Sequence, residues 1–590
     1  MKLAKVRNYI RGDRMNREIQ VLIGGTQGDG ILATGVYYLQ VLSRMGYHVY
    51  GKRHFTSRIK GGNSAVIAYG SVDKKGCPKD DMDIVMALDE ETMEIYTKKL
   101  RKRGLLLYDE ALELKVDAEF IQEMEIEIIS LPITKVVKEK GKMIMKNVCA
   151  LGFLTRVTVI EPELVESVIV NAFKDKGEEI VRKNKKVLQG AVDYNFTSLK
   201  GVNYLIEPVT EKDRGPVVVG NDLIGLGALM AGCRFMAAYP ITPSSEIMQY
   251  LSQHLPRYGG KVVQTEDELA AINMIIGCSY AGVRSMTSTS GPGISLMMEG
   301  LGLASMAEVP VVVVDAQRKG PSTGLPTKHE QSDVNTLYYG GHGEFPRIVL
   351  APATIEDCFY DTIEAFNLAE EYQCPVIIMS DSLRSLSYEN IEDLDFDQIT
   401  INRGKLAMEE DLEDGRVNTK RYKDTEEHIS KRVFPGMKNG LHHTTGLEHD
   451  EYGFPIRPKD DQRGLTEKRM NKLDPLEHHK GIRMYQEKAN KILFLGYGST
   501  FGVLQQAVKK MDRVVDYGAI KQIKPLPTVQ LKKLLDHYDT VVIVENNYTA
   551  QLRKIIQSEI GYHHKLDSLL SYNGDGFLIE EIKDKIKELI

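Results

Sequence analysis

Short, largely apolar segments recur along this chain of 590 residues, and the clearest is VPVVVVDA at residues 309–316. A strand with no polar face must be covered on both sides, as in parallel sheets enclosed by helices. Similar segments alternate with apolar helical stretches between about 215 and 400, and the alternation starts again near 489. The pattern predicts α/β architecture with doubly wound parallel sheets.

The N-terminal region, residues 1–200, shows a related pattern. The predicted strand EIQVLIGG leads into the glycine turn TQGDG, an apolar helix and a second strand, YHVYG. We expect these to form a strand–turn–helix–strand unit of a parallel sheet. Further strands are predicted at DIVMALD and GLLLYD, before a charged helical stretch near 175–200.

Residues 401–488 differ from both neighbouring regions because they are rich in charge and lack long apolar runs. We predict a long, partly ordered connection, followed by a third α/β unit that begins at KILFLGYGST. The spacing of the histidines in the connection matches no familiar metal site, so we expect solvated surface. These histidines are His442, His443, His449, His478 and His479.

Charge and composition exclude several classes of protein. The net charge is −6, which argues against general nucleic-acid binding. No segment approaches the roughly 20 apolar residues of a membrane helix, and the basic N-terminus lacks an apolar signal core. A cytoplasmic protein is expected. The six cysteines form no CxxC, so we interpret them as structural and expect any iron–sulfur cluster to belong to a partner.

The segment GGTQGDG, residues 24–30, has the glycine spacing of a phosphate-binding turn before a helix. An NAD site would place an acidic residue at the end of the next strand, where this chain has Lys52 and Arg53. NAD binding is therefore disfavoured. A plain strand-to-helix turn and a site for some other phosphate both remain open.

Three polar segments follow predicted strands in the central region: YPITPSS at 239–245, TSTSGPG at 287–293 and QRKGPSTGLPT at 317–327. Ligands of open α/β sheets collect beyond the carboxyl ends of the strands. Arg318 is placed there to hold an anionic substrate by paired hydrogen bonds. A rigid turn, a helix cap and an ordinary surface arginine are the corresponding structural alternatives.

The segment QTEDELAAI, residues 264–272, places three carboxylates at the start of an apolar helix. Thr265 and Glu268 have the spacing of a capping box, so a purely structural role is the simplest interpretation. A catalytic role for one of the three acids needs further support from the rest of the chain.

Together these segments resemble a known family. YPITPSSE, QTEDELAAI, TSTSGPGISLMMEGLG, QRKGPSTGLPT and GLEHDEYG resemble the α subunit of 2-oxoacid:acceptor (ferredoxin) oxidoreductases. GGTQGDGILATG with SRIKGGNSAV resembles the family's γ subunit, here fused ahead of α. The resemblance implies a γ-type domain at 1–200, a pyrimidine-binding domain at 215–400, the connecting segment at 401–488 and a transketolase C-terminal-like domain at 489–590.

The resemblance implies a thiamine-diphosphate enzyme in which a glutamate hydrogen-bonds the pyrimidine ring and promotes formation of the ylid. Glu268 fits the class pattern best, because Ala271 follows three positions on and Gly277 nine positions on, although Ile272 stands where the pattern has a second small residue. Glu266 and Asp267 are then expected to serve the helix start. Further cofactor contacts are implied for Tyr239, Pro240, Ile241, Ser290, Gly291 and Pro292.

For the substrate, the resemblance assigns Thr242 and Arg318 to the carboxylate and keto group of the 2-oxoacid. Lys60 resembles a γ-domain lysine that can pair with a second, distal carboxylate. This combination favours a dicarboxylic substrate such as 2-oxoglutarate. Pyruvate, branched-chain 2-oxoacids and indolepyruvate remain alternative substrates, and a non-catalytic assembly or regulatory subunit of the same fold remains an alternative function.

The family's motif for the diphosphate and Mg²⁺, a GDG followed by an asparagine 25 to 30 residues later, belongs to its β subunit. In this chain GDG occurs at Gly28–Gly30 and Gly574–Gly576, and neither has an asparagine at that spacing. We therefore expect this chain to bind the pyrimidine half only and to need a β partner, which also carries the iron–sulfur cluster. Coenzyme A as co-substrate, ferredoxin as acceptor and an assembly of two αβ pairs are implied.

Overall fold

The computed structural model describes residues 17–28, 30–55, 62–194, 204, 206–209, 213–412, 419–457, 463–478, 481–488, 490–562 and 564–590. These form two compact units, Met1–Val218 with Ser387–Asp393, and Val219–Leu386 with Leu394–Ile590. Among the described helices, none has the length and apolar character needed to cross a membrane.

The N-terminal part of the chain alternates strands with short helices. Its strands are β1 (Glu18–Thr26), β2 (His48–Phe55), β3 (Asn63–Ser71), β4 (Met82–Ala87), β5 (Leu100–Asp109), β6 (Glu127–Leu131) and β7 (Val217–Val219). Its helices are α1 (Ile31–Arg44), α2 (Glu90–Tyr96), α3 (Ala118–Glu123), α4 (Ile133–Lys140), α5 (Lys146–Val157), α6 (Pro162–Phe173) and α7 (Glu178–Val192).

The central part has longer, more apolar helices. They are α8 (Gly220–Met230), α9 (Ser245–His254), α10 (Glu268–Tyr280), α11 (Gly291–Met306), α12 (Val334–Tyr339), α13 (Ile355–Tyr372) and α14 (Ser382–Leu386). The strands are β8 (Phe235–Ala238), β9 (Lys261–Gln264), β10 (Ser285–Thr289), β11 (Val311–Gln317), β12 (Ile348–Leu350), β13 (Pro375–Asp381) and β14 (Tyr388–Asn390).

The C-terminal part completes the chain. Its helices are α15 (Arg463–Asn471), α16 (Thr500–Lys510), α17 (Thr528–His537), α18 (Gln551–Ile560) and α19 (Ile579–Leu589). Its strands are β15 (Ile482–Gln486), β16 (Ile492–Gly496), β17 (Asp516–Ile520), β18 (Gln522–Lys524), β19 (Thr540–Glu545) and β20 (Leu566–Leu570).

The sheet of the first unit has the order β6-β5-β4-β1-β3-β2-β14-β7. The expectation that β1 and β2 belong to a simple parallel unit is wrong. The strand β3 inserts between them and pairs with both in antiparallel register, while β4 continues from β1 in parallel. The sheet is therefore mixed. The glycine turn behaves as expected, since Gly28 and Gly30 have positive φ and Gly30 directly precedes α1.

The second unit holds two sheets. The first has the order β18-β12-β13-β11-β10-β8-β9, and its strands are parallel except for β18. The other has the order β15-β17-β16-β19-β20, parallel except for β15. One hydrophobic cluster joins side chains of β11 and α11 to those of β16 and β19. The predicted multi-domain α/β fold class is confirmed.

The segment predicted as a long, partly ordered connection, 401–488, is packed in two of its described ranges, 419–457 and 463–478. Its basic side chains reach buried acids of the central part: Lys468 and Lys472 pair with Glu308. The prediction of solvated histidines is wrong for His449, which is 1% exposed and packs edge-on against Tyr422. Long-range charge pairing therefore helps to pack this segment although it lacks long apolar runs.

Neutralising Glu308 is expected to destabilise this packing. Burial opposes its ionisation, but the charges of Lys472, Lys468 and Arg421 outweigh burial and lower the pKa of Glu308 to about 2. This stabilisation is present above the ordinary pKa of a glutamate and is lost as the pH falls toward 2. At neutral pH, Glu308→Gln leaves two buried lysines without their anion, so we expect a loss of about 3–5 kcal/mol.

Thermal denaturation and limited proteolysis of the full chain would measure that loss. Glu299→Gln is the control, since Glu299 is exposed on α11, the helix that ends two residues before Glu308. A Glu308→Gln chain as stable as the control would contradict the expectation.

Candidate functional site

Four loops meet at one edge of the central sheet. The strands β9, β8, β10 and β11 are consecutive neighbours and run parallel, so their carboxyl ends lie side by side. Beyond these ends come α10, the YPITPSS segment, the start of α11 and Arg318. This edge gathers the three polar segments and the acidic helix start that the sequence singles out.

The acids at the start of α10 have separate tasks. Asp267 is the N-cap, and its carboxylate accepts a hydrogen bond of 2.8 Å from the Ala270 amide. Thr265 donates instead to the Asp267 carbonyl at 2.8 Å, so the capping box between Thr265 and Glu268 does not form. The prediction that Asp267 serves the helix start is confirmed, and the carboxylate of Glu268 is left for another use.

Glu268 is only 5% exposed, although it is the first residue of α10. Its Oε1 accepts a long hydrogen bond of 3.4 Å from the hydroxyl of Thr289, at the end of β10. In the described part of the chain no lysine, arginine or histidine nitrogen lies within 4.0 Å of its carboxylate. Burial of a carboxylate without a cation is costly and is typical of functional sites.

Gly293 makes room for this carboxylate. A Cβ at Gly293 would lie 2.0 Å from Oγ1 of Thr289 and 2.6 Å from Oε1 of Glu268, both well inside van der Waals contact. The glycine in the first turn of α11 is therefore required for Glu268 and Thr289 to take the positions that they have.

Gly293→Ala should consequently displace Glu268. Alanine normally stabilises a helix by about 1 kcal/mol relative to glycine, but the clash should cost about 1–3 kcal/mol and lower activity. Gly302→Ala on the same helix is the matched control, because its Cβ would lie 3.8 Å from Phe345 and should be neutral or stabilising. Melting temperatures of the two variants test this, and equal values would contradict it.

The YPITPSS segment is held in place by backbone contacts. The carbonyl of Ile241 accepts hydrogen bonds from the hydroxyls of Ser244 and Ser245 at 3.1 and 3.0 Å. The side-chain amide of Asn221, a fully buried residue of α8, donates to the Pro243 carbonyl at 2.7 Å. These bonds fix the loop around Thr242, which is partly buried.

Arg318 connects the YPITPSS segment to the loop that follows β11. Its Nη1 donates to the Thr242 carbonyl at 2.8 Å and its Nη2 to the Thr323 carbonyl at 3.3 Å. Arg318 is 7% exposed, and burial lowers its pKa while the charges of Asp333 and Glu268 oppose that shift. The structure thus brings Thr242, Arg318 and Glu268 into one site.

The remaining predicted residues surround this group. Ser290 is the N-cap of α11 and is fully buried, yet its hydroxyl lacks a hydrogen-bond partner among the described residues. Gly291 and Pro292 form the first turn of that helix. Tyr239, 41% exposed, and the partly buried Pro240 and Ile241 follow β8. Lys60 lies outside the described residues.

Sequence reasoning missed three side chains of this site. Asn221 gives no signal in the sequence, because polar residues such as Asn221 and Asp222 are ordinary in the first turn of a helix. Asp315 stands in the fully buried strand β11, and Asp333 precedes α12. In the sequence, Asp315 is only an acid that follows apolar residues, and Asp333 is only an acid in a loop.

Comparison with known proteins identifies the family. Residues 20–194 match the model for pyruvate ferredoxin/flavodoxin oxidoreductase, and residues 226–467 match its thiamine-diphosphate-binding domain model. The 2-oxoacid:ferredoxin oxidoreductase subunit alpha of Sulfolobus sp is 33% identical over 624 aligned residues, covering 96% of each chain. This chain belongs to the alpha subunits of 2-oxoacid:ferredoxin oxidoreductases. It is therefore a subunit of a multi-subunit oxidoreductase.

Two further relatives of this alpha subunit have names that refer to 2-oxoglutarate. The 2-oxoglutarate synthase subunit KorA of Methanothermobacter thermautotrophicus is 38% identical, covering 63% of this chain and 98% of its own. The 2-oxoglutarate:ferredoxin oxidoreductase from Magnetococcus marinus, solved with 2-oxoglutarate, coenzyme A and succinyl-CoA bound, is 34% identical with a TM-score of 0.89. That match covers 97% of this chain and 99% of the other.

The residues at the sheet edge fit the pyrimidine of thiamine diphosphate. A buried carboxylate without a cation, Glu268, can accept a hydrogen bond from a ring nitrogen. The unpartnered hydroxyl of Ser290 and the exposed face of Tyr239 stand beside the same edge and can complete the contact. Among the described residues no cluster of three or more metal-ligating side chains occurs.

Proposed function

We propose that this chain is the fused γ–α subunit of a thiamine-diphosphate-dependent 2-oxoacid:ferredoxin oxidoreductase whose substrate is 2-oxoglutarate. It would convert the 2-oxoacid and coenzyme A to an acyl-CoA and carbon dioxide, passing two electrons to ferredoxin. The observation that carries the proposal is the meeting of Glu268, Thr242 and Arg318 at one sheet edge.

The choice of 2-oxoglutarate is supported by two observations. The relatives described above include proteins named for 2-oxoglutarate, one of which spans nearly the whole chain. The chain also carries Lys60 in the SRIKGGNS segment in addition to Arg318, which offers one cation for each carboxylate of a dicarboxylic acid. Pyruvate, branched-chain 2-oxoacids and indolepyruvate are the alternatives that the test must include.

The proposed division of the cofactor between subunits is supported by the sequence. The GDG segment at Gly28–Gly30 is not followed by an asparagine at the spacing of the diphosphate and Mg²⁺ motif. A β subunit would supply that site and the iron–sulfur cluster, giving an assembly of two αβ pairs. The N-terminal region with GGTQGDGILATG is proposed as the γ-type domain, with coenzyme A as co-substrate.

In this proposal each site residue has one task. Glu268 holds or releases a proton at the pyrimidine ring, and its burial strengthens that interaction. Arg318 binds the carboxylate of the 2-oxoacid, and Thr242 orients the keto group. Thiamine diphosphate, when bound, supplies the carbon nucleophile and accepts the electron pair left by carbon dioxide.

The test is purification of the tagged full chain with its partners from its source, followed by assays of acceptor reduction. Thiamine diphosphate, Mg²⁺ and coenzyme A are supplied, and 2-oxoglutarate is compared with the alternative substrates. We expect an iron–sulfur partner and a preference for 2-oxoglutarate. Turnover by the chain alone would contradict the divided cofactor site, and a complex inactive on every 2-oxoacid would favour the non-catalytic alternative.

A further inference from the structure

A small cavity lies at the carboxyl end of α10, the helix that begins with Glu268. Its walls come from that helix end, from the turn between α11 and β11, and from the segment after residue 400. They include Ser279, Tyr280, Glu308, Arg421, Arg432 and His442. Most of the residues around the cavity are buried. It has room for one water-sized molecule or ion, but not for a phosphate or a metabolite.

Arg432 brings unused hydrogen-bond donors to this cavity. The residue is 4% exposed, and its Nη2 donates to Oε2 of Glu370 at 2.6 Å. Its Nε and Nη1 are buried and have no hydrogen-bond partner among the described residues. The face of the guanidinium packs on Phe434, 4.9 Å from the ring centre, and this contact does not use the N–H groups. Because buried donors without acceptors are costly, an acceptor from outside the chain is indicated.

Arg421 adds a second buried guanidinium to the wall of the cavity. Its Nη2 donates to uncharged acceptors, the Glu308 carbonyl at 3.0 Å and Oε1 of Gln373 at 2.7 Å. Its Nη1 makes only a long hydrogen bond of 3.4 Å to the hydroxyl of Ser430. Within the described part of the chain Arg421 has no carboxylate as an ion-pair partner, so its charge is not neutralised.

Buried cations outnumber buried anions around the cavity. The carboxylate of Glu308, which also lines it, is engaged by two lysines, and Glu370 faces Arg432 and Arg284. Burial lowers the pKa of Arg432 to about 10, so the group stays charged at neutral pH. Against these two carboxylates the described chain sets five buried cations: Arg284, Arg421, Arg432, Lys468 and Lys472. Uncompensated buried charge favours an anion over a water molecule as the occupant.

We propose that this cavity is a binding site for one small monovalent anion of the size of chloride, held by Arg432 and Arg421. The anion accepts charge-assisted hydrogen bonds from Nε and Nη1 of Arg432, which the chain leaves unpaired. Both arginines belong to the segment 401–488, whereas Ser279 and Tyr280 belong to the central helix α10. The bound anion therefore fastens that segment to the central part of the chain. The proposed function is not needed for this inference.

Replacing sodium gluconate with sodium chloride at constant ionic strength tests the site in the full chain. Gluconate is too large for the cavity, and both salts screen surface charges alike, so a specific site is needed to separate them. The melting temperature should rise by about 2–4 °C in chloride and level off as the site fills.

Two variants assign that rise to the cavity. Arg432→Gln should abolish it. Arg403→Gln is the matched control, because Arg403 donates to the same oxygen of Glu370 at 2.6 Å but does not line the cavity. The control should be less stable in both salts and should keep its response to chloride.

Bromide gives a second measurement that needs no variant. Anomalous diffraction from crystals of the full chain soaked in bromide should place a bromide ion beside Arg432. Equal melting temperatures in the two salts, a chloride response that Arg432→Gln keeps, or a cavity that holds only water in bromide would each overturn the site. If Arg432→Gln does not fold, the wild-type salt response and the bromide position still decide.

Discussion

Replacing Glu268 with glutamine is expected to lower the turnover of the complex by about 10²–10⁴-fold, the usual contribution of a positioned acid or base. Glutamine has almost the same shape, so it should fit beside Gly293 and Thr289 without a clash. It cannot, however, hold and release the proton at the pyrimidine ring. The measurement is the single-turnover rate of acceptor reduction with saturating 2-oxoacid, thiamine diphosphate and coenzyme A.

Stability separates this catalytic role from a structural one. Glu268 is buried, and among the described residues no cationic nitrogen lies within 4.0 Å of its carboxylate, so removing its charge should leave the melting temperature equal or raised. Glu266→Gln is the control, because Glu266 is exposed two residues earlier and should leave turnover unchanged. A Glu268→Gln complex that keeps a tenth of its turnover would reject the assignment and support a non-catalytic subunit.

The part of the site that could be predicted depends on one rule of parallel sheets. Segments far apart in sequence meet because their strands are neighbours and end at the same edge. This rule is enough to expect Thr242 near Arg318, and the structure joins them by a hydrogen bond of 2.8 Å across 76 positions. The separation of Asp267, a cap, from Glu268 came from the family resemblance, because local helix chemistry favoured a capping box between Thr265 and Glu268.

The parts that could not be predicted depend on long-range pairing. The strand β3 was not predicted, and nothing local indicates that it inserts between β1 and β2. The charge-rich segment after 400 was predicted as a partly ordered connection because its acidic partners, such as Glu308, lie more than 100 residues away. Asp315 is hidden for the opposite reason, since an acid inside an apolar strand gives no sign of its neighbours.

The second large effect is expected at Arg318. Truncating a buried, hydrogen-bonded charge that binds an anion typically costs about 2–5 kcal/mol, which corresponds to roughly 30- to 5,000-fold in kcat/KM. Arg318→Ala should therefore lose most of its activity through a raised KM for the 2-oxoacid. Arg318→Lys keeps the positive charge, but lysine lacks the planar guanidinium that binds the carbonyls of Thr242 and Thr323 and can also face a carboxylate. We therefore expect at least about a tenfold loss in kcat/KM.

A control variant and a second substrate test whether this effect is specific to carboxylate binding. Arg347→Lys is the matched control, because Arg347 is 2% exposed in the same unit but bonds the Gly340 carbonyl, away from the loops of the site. It should change stability without changing the KM. If Arg318 binds the carboxylate that every 2-oxoacid shares, Arg318→Ala should raise the KM for 2-oxoglutarate and the KM for pyruvate by the same factor. A loss confined to 2-oxoglutarate would instead place Arg318 at the distal carboxylate and leave the shared one to another residue.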